Sequence, residues 1–272
     1  MNKTLLAAAI LACLTPAWAA QEDQNARKQV IEIVSRIQRA DYEGDRETLK
    51  KCFEELNPFL ENKELVSRVR YWRGFDLWRS AINGFNDSVD PNDLERLLFQ
   101  AVDEFKEALA RDPGFVDPKI GMISCLGYVT YIHRKETERM KELMGQISPL
   151  VNEVRSAAPD NPRFIWVMGP ILWYAPVERG GGIDKVIESY ERGLAICAKL
   201  KAPDDLLEPS WGKPELMMSL AYTQLSKTPP DVEKAERNVR GALEIVPYWH
   251  YARDLLLPQI AEAKAKQAKQ SP

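Results

Sequence analysis

The sequence predicts an all-α chain, a solenoid of about five helix pairs with a C-terminal capping helix. Three observations carry that reading. Apolar residues recur at helical spacing along the chain, and no stretch alternates convincingly at period two. Prolines and glycines cut the chain at repeated intervals. Between the cuts one set of slots returns: a small or aliphatic residue, an aromatic or aliphatic one four positions on, a third residue three beyond, and often a proline.

Taken in order, the chain opens with "MNKTLLAAAILACLTPAWAA". Lys3 is a basic start, Leu5–Leu14 an apolar run, Thr15-Pro16 a break, and Ala17 and Ala19 the small residues a signal peptidase requires. This pattern predicts a cleaved signal peptide over 1–19, a repeat domain over 20–268 and a disordered tail over 269–272. A second-ranked reading has Ile10–Cys13 as a lipidation motif, with Cys13 anchored. The apolar run is too short to span a bilayer, and no later segment is long enough. Helices that open each pair are expected at about 25–41, 63–82, 115–133, 162–174 and 212–226. The recurring slots define the helices that close them: Leu49, Phe53 and Leu56; Ala101, Phe105, Ala108 and Pro113; Ile147, Val151, Val154 and Pro159; Val186, Tyr190 and Gly193; Ala235, Val239, Ala242 and Pro247. Asp45 is a natural N-cap, and a last helix runs from about Tyr248 to Lys269. The stretch "NGFNDSVDPNDLE" reads as a loop insert of about fifteen residues, with Asn92 or Asp93 capping the helix that follows.

Charge and cysteine usage exclude several classes. With 37 basic against 40 acidic residues the net charge is −3, so there is no basic footprint for nucleic acid. Cys52, Cys125 and Cys197 are widely spaced among apolar helix positions and read as packed thiols, with one bridge left open as an alternative.

The Ala101–Pro113 pattern resembles the second-helix half of a tetratricopeptide repeat. That resemblance implies a right-handed superhelical solenoid whose first helices line a concave groove. The match is poorer in the first helices, where Gly74 and Gly169 are the convincing positions and Pro170 is expected to kink or break its helix. Residues 160–213, with "NPRFIWVMGPILWYAP", "GGG" and "EPSWGK", resemble a family of exported bacterial repeat proteins to which no activity is attached. A fainter likeness is to periplasmic repeat subunits of solute transporters. Carried over from the repeat superfamily, the groove positions become Arg68, Tyr71, Phe75 and Trp78 in one helix, Arg163, Trp166, Pro170 and Trp173 in another, and Lys213 in a third. The same residues also read as core aromatics with solvated charges. A basic and aromatic groove would suit an extended, acidic peptide, because guanidinium groups pair carboxylates bidentately and flat rings cover apolar side chains.

Gly180, Gly181 and Gly182 stand before an amphipathic helix. They satisfy neither the phosphate-loop nor the dinucleotide pattern, which leaves a helix junction or a weak anion contact. The two histidines, His133 and His250, are far apart, no Cys/His set has metal spacing, and nucleophile motifs are absent. No cofactor is implied. The expectation is an exported, non-catalytic scaffold, periplasmic or secreted, that binds a protein or peptide. The alternative is a solute-capturing transporter accessory with a pocket under Gly169-Pro170, and a divergent enzyme ranks third.

Overall fold

The computed structural model describes residues 4–270, with side chains from residue 21 to residue 269. The segment 1–19 expected to be a signal peptide, and Cys13 within it, therefore lie outside the described side chains. Among the described residues there are eleven α-helices and no strand: α1 (Thr4–Glu43), α2 (Arg46–Glu55), α3 (Val66–Asn86), α4 (Pro91–Arg111), α5 (Asp117–Ile132), α6 (Thr137–Ala157), α7 (Pro162–Tyr174), α8 (Ile183–Cys197), α9 (Lys213–Leu225), α10 (Val232–Ile245) and α11 (Leu257–Gln270). A π-type turn over Tyr251–Leu256 leads into α11. Because α11 runs through Gln270, residues 269 and 270 are helical where a disordered tail was expected.

Each odd-numbered helix from α1 to α9 packs on the next odd one and on its own even-numbered partner. The odd helices thus form an inner layer and the even ones an outer layer. The recurring slots of the outer helices face inward as their spacing requires: Leu49, Ala101, Phe105, Ala108, Val154, Val186, Ala235, Val239 and Ala242 are all buried. Small residues permit the close approach. A Cβ on Gly74 would come within 2.8 Å of the Phe105 ring.

The start of α2 follows from its cap. Asp45 Oδ1 accepts the Thr48 amide at 3.0 Å and Oδ2 accepts the Thr48 hydroxyl at 2.6 Å. Asp45→Ala is expected to cost about 1 kcal/mol, read as a lower urea midpoint, and an unchanged midpoint would remove the cap from the account. The expected insert at residues 83–95 is resolved differently. α3 and α4 are each 21 residues long and absorb most of it, leaving residues 87–90 as the turn. Asp90, not Asn92 or Asp93, is the N-cap, since Pro91 takes the first helical position and Asp90 Oδ1 accepts the Asn92 amide at 2.8 Å. Pro170 also fails to end α7, which continues to Tyr174. Its ring sits on the exposed side, and beyond it Trp173 is held against Tyr222 of α9, with ring centroids 5.9 Å apart.

The inner layer closes on itself. Tyr42, near the end of α1, donates its hydroxyl to Glu215 of α9 at 2.6 Å and packs its ring on Trp249, 5.0 Å between centroids. Tyr42 belongs to the apolar cluster of α9, α10 and the C-terminal helix, while the rest of α1 belongs to the main core.

Candidate functional site

The inner face has three levels, and they differ in what is left free. At the level where α3, α5 and α7 begin, the predicted basic residues are present and already paired. Arg68 Nε donates to Glu208 at 2.7 Å, its Nη1 to Asp112 at 2.9 Å, and its guanidinium lies 3.8 Å from the Phe115 ring centroid. Burial works against the Arg68 charge, but the two carboxylates outweigh it and hold its pKa above the usual value. Arg163 makes a bidentate pair with Asp117, and its Nη1 reaches the Trp211 carbonyl at 3.5 Å. Lys213 stands exposed at the first position of α9.

At the middle level the groove is filled by the chain itself. The segment between α8 and α9 folds inward, with Leu207 and Trp211 buried. The Trp211 ring packs on Phe75, Trp78 and Trp166 at centroid distances of 5.7, 5.6 and 5.7 Å. Its indole N–H donates to Tyr71 Oη at 3.0 Å, and the Trp72 indole donates to the Leu207 carbonyl at 2.9 Å. This corrects the expectation of an open groove at Arg68, Tyr71, Phe75, Trp78, Arg163 and Trp166. Tyr71 and Trp78 are fully buried, and Trp166 is 9% exposed and bonds Ser219 Oγ at 2.8 Å. The physical reason is burial of apolar area: seven-residue spacing places these rings on one helix face, and the returning segment removes that face from water.

Beside the aromatic plug sits a buried polar cluster that sequence reasoning missed. Arg79 Nε donates to Asp41 Oδ2 at 2.8 Å, with side chains 4% and 2% exposed. Its guanidinium is 5.6 Å from the Trp166 ring centroid and 5.7 Å from those of Phe75 and Trp78. Glu215 accepts the Tyr42 hydroxyl and, at 2.8 Å, the Gly212 amide; burial nevertheless raises its pKa. Asp76 Oδ2, Trp78 Nε1 and Arg79 Nη1 are buried with no hydrogen-bond partner. The available signal was the pair Asp76 and Arg79 inside the apolar run "FDLWRSAI", charges where a helix faces a core.

The third level, where the inner helices end, is open. Tyr131 is 47% exposed and Tyr222 44%, while Phe85, Tyr128, Trp173 and Tyr251 are part-buried. The rings form two groups there. Phe85 lies 5.3 Å from Tyr128 and 6.3 Å from Tyr131, and Trp173 lies 5.9 Å from Tyr222. Burial, with Tyr222 and Tyr128 beside it, raises the Tyr251 hydroxyl pKa. Of the predicted contacts, Trp173 belongs to this mouth; Phe85, Tyr128, Tyr131, Tyr222 and Tyr251 were missed.

The remaining candidates resolve locally. All three glycine amides of 180–182 are committed to main-chain carbonyls: Gly180 to Val177 at 2.9 Å, Gly181 to Pro176 at 3.1 Å and Gly182 to Leu172 at 2.9 Å. Gly180 and Gly182 have φ of 79° and 98°, and a Cβ on Gly181 would strike the Ala175 carbonyl. The run is a junction with no amide left for an anion. The Tyr190 ring packs directly on Gly169, where an added Cβ would strike it, so the space beside that glycine is taken by the fold itself. Cys52, Cys125 and Cys197 are free thiols; burial pushes Cys52 up to about 11.

His133 bridges Glu136 at 2.7 Å and Glu95 at 2.9 Å, while His250 pairs with Asp254 at 2.9 Å, both away from the aromatic plug. The hydrogen bonds to Glu136 and then Glu95 raise the His133 pKa. A raised folded value contributes stability that is complete below the unfolded pKa, about 6.5, and is lost as pH rises through the folded pKa. In an NMR titration the His133 ring is expected to titrate above that value, and Glu95→Gln to lower it. A His133 midpoint at or below the reference would contradict the bridge. Among the described residues no group of three His, Cys, Asp or Glu side chains is placed to hold a metal ion. No described helix is long and apolar enough to cross a membrane.

No protein-family model matches the sequence, and no curated protein matches it significantly. Solved structures do. A thermophilic tetratricopeptide-repeat protein of Thermus thermophilus superposes with a TM-score of 0.51 at 18% identity, over 80% of this chain and 91% of that one. The fold is tetratricopeptide-like. The HusA haemophore from Porphyromonas gingivalis shares it, with a TM-score of 0.56 and 18% identity over 72% of this chain and 92% of its own. At such identities the likeness concerns the fold. Against that background the plug formed by Leu207–Trp211 is what divides this tetratricopeptide-like groove into a filled half and an open half.

Proposed function

We propose that the protein is an exported, non-catalytic scaffold that binds an extended segment of a partner polypeptide at the open, aromatic half of its inner groove. The observation that carries this reading is the mouth itself: Phe85, Tyr128, Trp173 and Tyr251, part-buried, with the exposed Tyr222, from successive inner elements, in a molecule that buries Tyr71, Phe75, Trp78 and Trp166 of the same inner layer. Large flat rings give contact area at low entropic cost, which is why they dominate binding hot spots. The filled half supports the same reading, since the fold already holds a non-helical segment there through Arg68–Glu208, Trp72–Leu207 and Tyr71–Trp211 contacts. Lys213 and Trp173 remain as contact candidates from the groove expectation; Arg68, Tyr71, Trp78, Arg163 and Trp166 shape the groove without facing the partner. Export rests on the sequence of residues 1–19 alone.

An array of random dodecapeptides probed with the protein tests the proposal. Selected peptides are expected to bind the double variant Trp173→Ala/Tyr222→Ala at least about tenfold more weakly, with its fold unchanged by circular dichroism. An array without binders, or equal binding by the variant, would overturn it. Solute capture is the second reading, favoured by the haemophore's name and by rings able to stack on a flat solute. Haem binding by the wild-type protein together with an empty array would select it.

A further inference from the structure

We propose that Asp76 is a proton-operated joint of the fold: the folded protein keeps a proton on this buried carboxyl, and its loss as pH rises loosens α2 from α3. The proposal stands apart from what binds at the mouth, and geometry carries it. Asp76 lies midway along α3 and is 1% exposed, and its Oδ2 is buried with no hydrogen-bond partner. The neighbouring guanidinium groups are turned elsewhere. Arg73 donates through Nε to Glu104 at 2.9 Å, and through Nη1 to the Phe53 carbonyl at 2.8 Å and to Asn57. Arg79 donates through Nε to Asp41 at 2.8 Å, and its buried Nη1 has no partner, so it does not reach Asp76 either.

The other groups around Asp76 do not compensate a negative charge. α1 brings Asp41 and α2 the Cys52 thiol, both within electrostatic reach. α4 brings Glu104, which Arg73 and Arg70 already engage. A carboxylate in such a place lacks both water and donors, whereas the protonated acid costs far less to bury. Burial first, and Asp41 second, push the Asp76 carboxyl well above the usual range against the pull of Arg73. Such a raised value contributes stability that is complete below the unfolded pKa, about 3.9, and is lost as pH rises through the folded value. α2 is the element that yields. It has ten residues, of which Leu49 and Cys52 are buried, whereas α3 and α4 have 21 each. Lifting α2 lets water reach Asp76 at the smallest loss of packing.

Cys52 reports the movement, because its side chain is fully buried in the closed joint. Iodoacetamide labelling of Cys52 at about pH 9, read by mass spectrometry, is expected to be about three- to tenfold faster in the wild type than in Asp76→Asn. Cys125 of α5, also buried, should label equally slowly in both. The Asp76 charge acting on the thiol alone would give the opposite order, since it disfavours the thiolate. Urea unfolding gives a second reading. From about pH 5 to pH 9 the unfolding constant of the wild type should rise relative to that of Asp76→Asn, by at most about tenfold per pH unit. His133 and Glu215 cancel in that comparison. Carbon-13 NMR needs no variant: the Asp76 carboxyl of the wild type is expected to titrate above the usual carboxylate range. Titration within or below that range, equal or reversed labelling of Cys52, or parallel pH profiles would overturn the proposal.

Discussion

Trp211→Ala is expected to lower the unfolding free energy by about 3–5 kcal/mol, a large share of what a domain possesses. The ring is 6% exposed and touches Phe75, Trp78 and Trp166, contributed by α3 and α7. Its removal opens a cavity that three large rings cannot collapse into without leaving their own contacts. It also strips Tyr71 Oη of the indole donor at 3.0 Å. Trp211→Phe separates the two effects: it keeps apolar area and loses the hydrogen bond, with an expected cost of about 1–2 kcal/mol beyond any repacking. Urea unfolding followed by circular dichroism reads both, without depending on the tryptophan signal being altered. An alanine variant within about 1 kcal/mol of wild type would mean that the segment is a detachable arm and not a core element.

Breaking the buried pair between α1 and α3 is the second large effect. Arg79→Met is expected to cost about 3–5 kcal/mol, because it leaves Asp41 buried without its guanidinium partner. Asp41 keeps only the Asn83 amide, at 3.2 Å to its carboxylate. The double variant Asp41→Leu/Arg79→Met should recover most of the loss, since two apolar side chains need no partner there. A double-mutant cycle on the urea midpoints measures the coupling, and additive losses would place the two charges in separate environments. The same cluster joins the ends of the inner layer, through Tyr42 and Glu215. Arg79→Met should therefore loosen the contact of α1 with α9 as well as that of α1 with α3, which amide exchange in residues 40–46 would report.

Much of the architecture was legible because its causes are local. The slots Ala101, Phe105 and Ala108 lie on one face at helical spacing and are buried in the structure for that reason. Asp45 could be read as a cap because capping involves residues three apart. The insert at 83–95 was misread because its turn-forming Asn, Asp and Gly residues lie partly inside α3, where Gly84 packs against Leu94 and Asn83 holds the Asp41 carbonyl at 3.0 Å. Arg68 and Arg163 were placed at the correct level and given the wrong partners, since their carboxylates come from remote segments. The mouth was missed, apart from Trp173, because a tyrosine at a helix end reads the same in sequence whether its ring is covered or free.

By itself the sequence determined the helices, their pairing and the face each one buries, since periodicity, caps and turn residues act within a few positions of the chain. Only the tertiary structure decided which half of the inner groove is available. The contacts that fill one half, Arg68 with Glu208 and Tyr71 with Trp211, join residues 140 positions apart. No local preference encodes such a contact. It forms because burying Trp211 and Leu207 against rings already gathered by the solenoid is worth more than leaving the segment in water, and that comparison exists only once the helices have assembled.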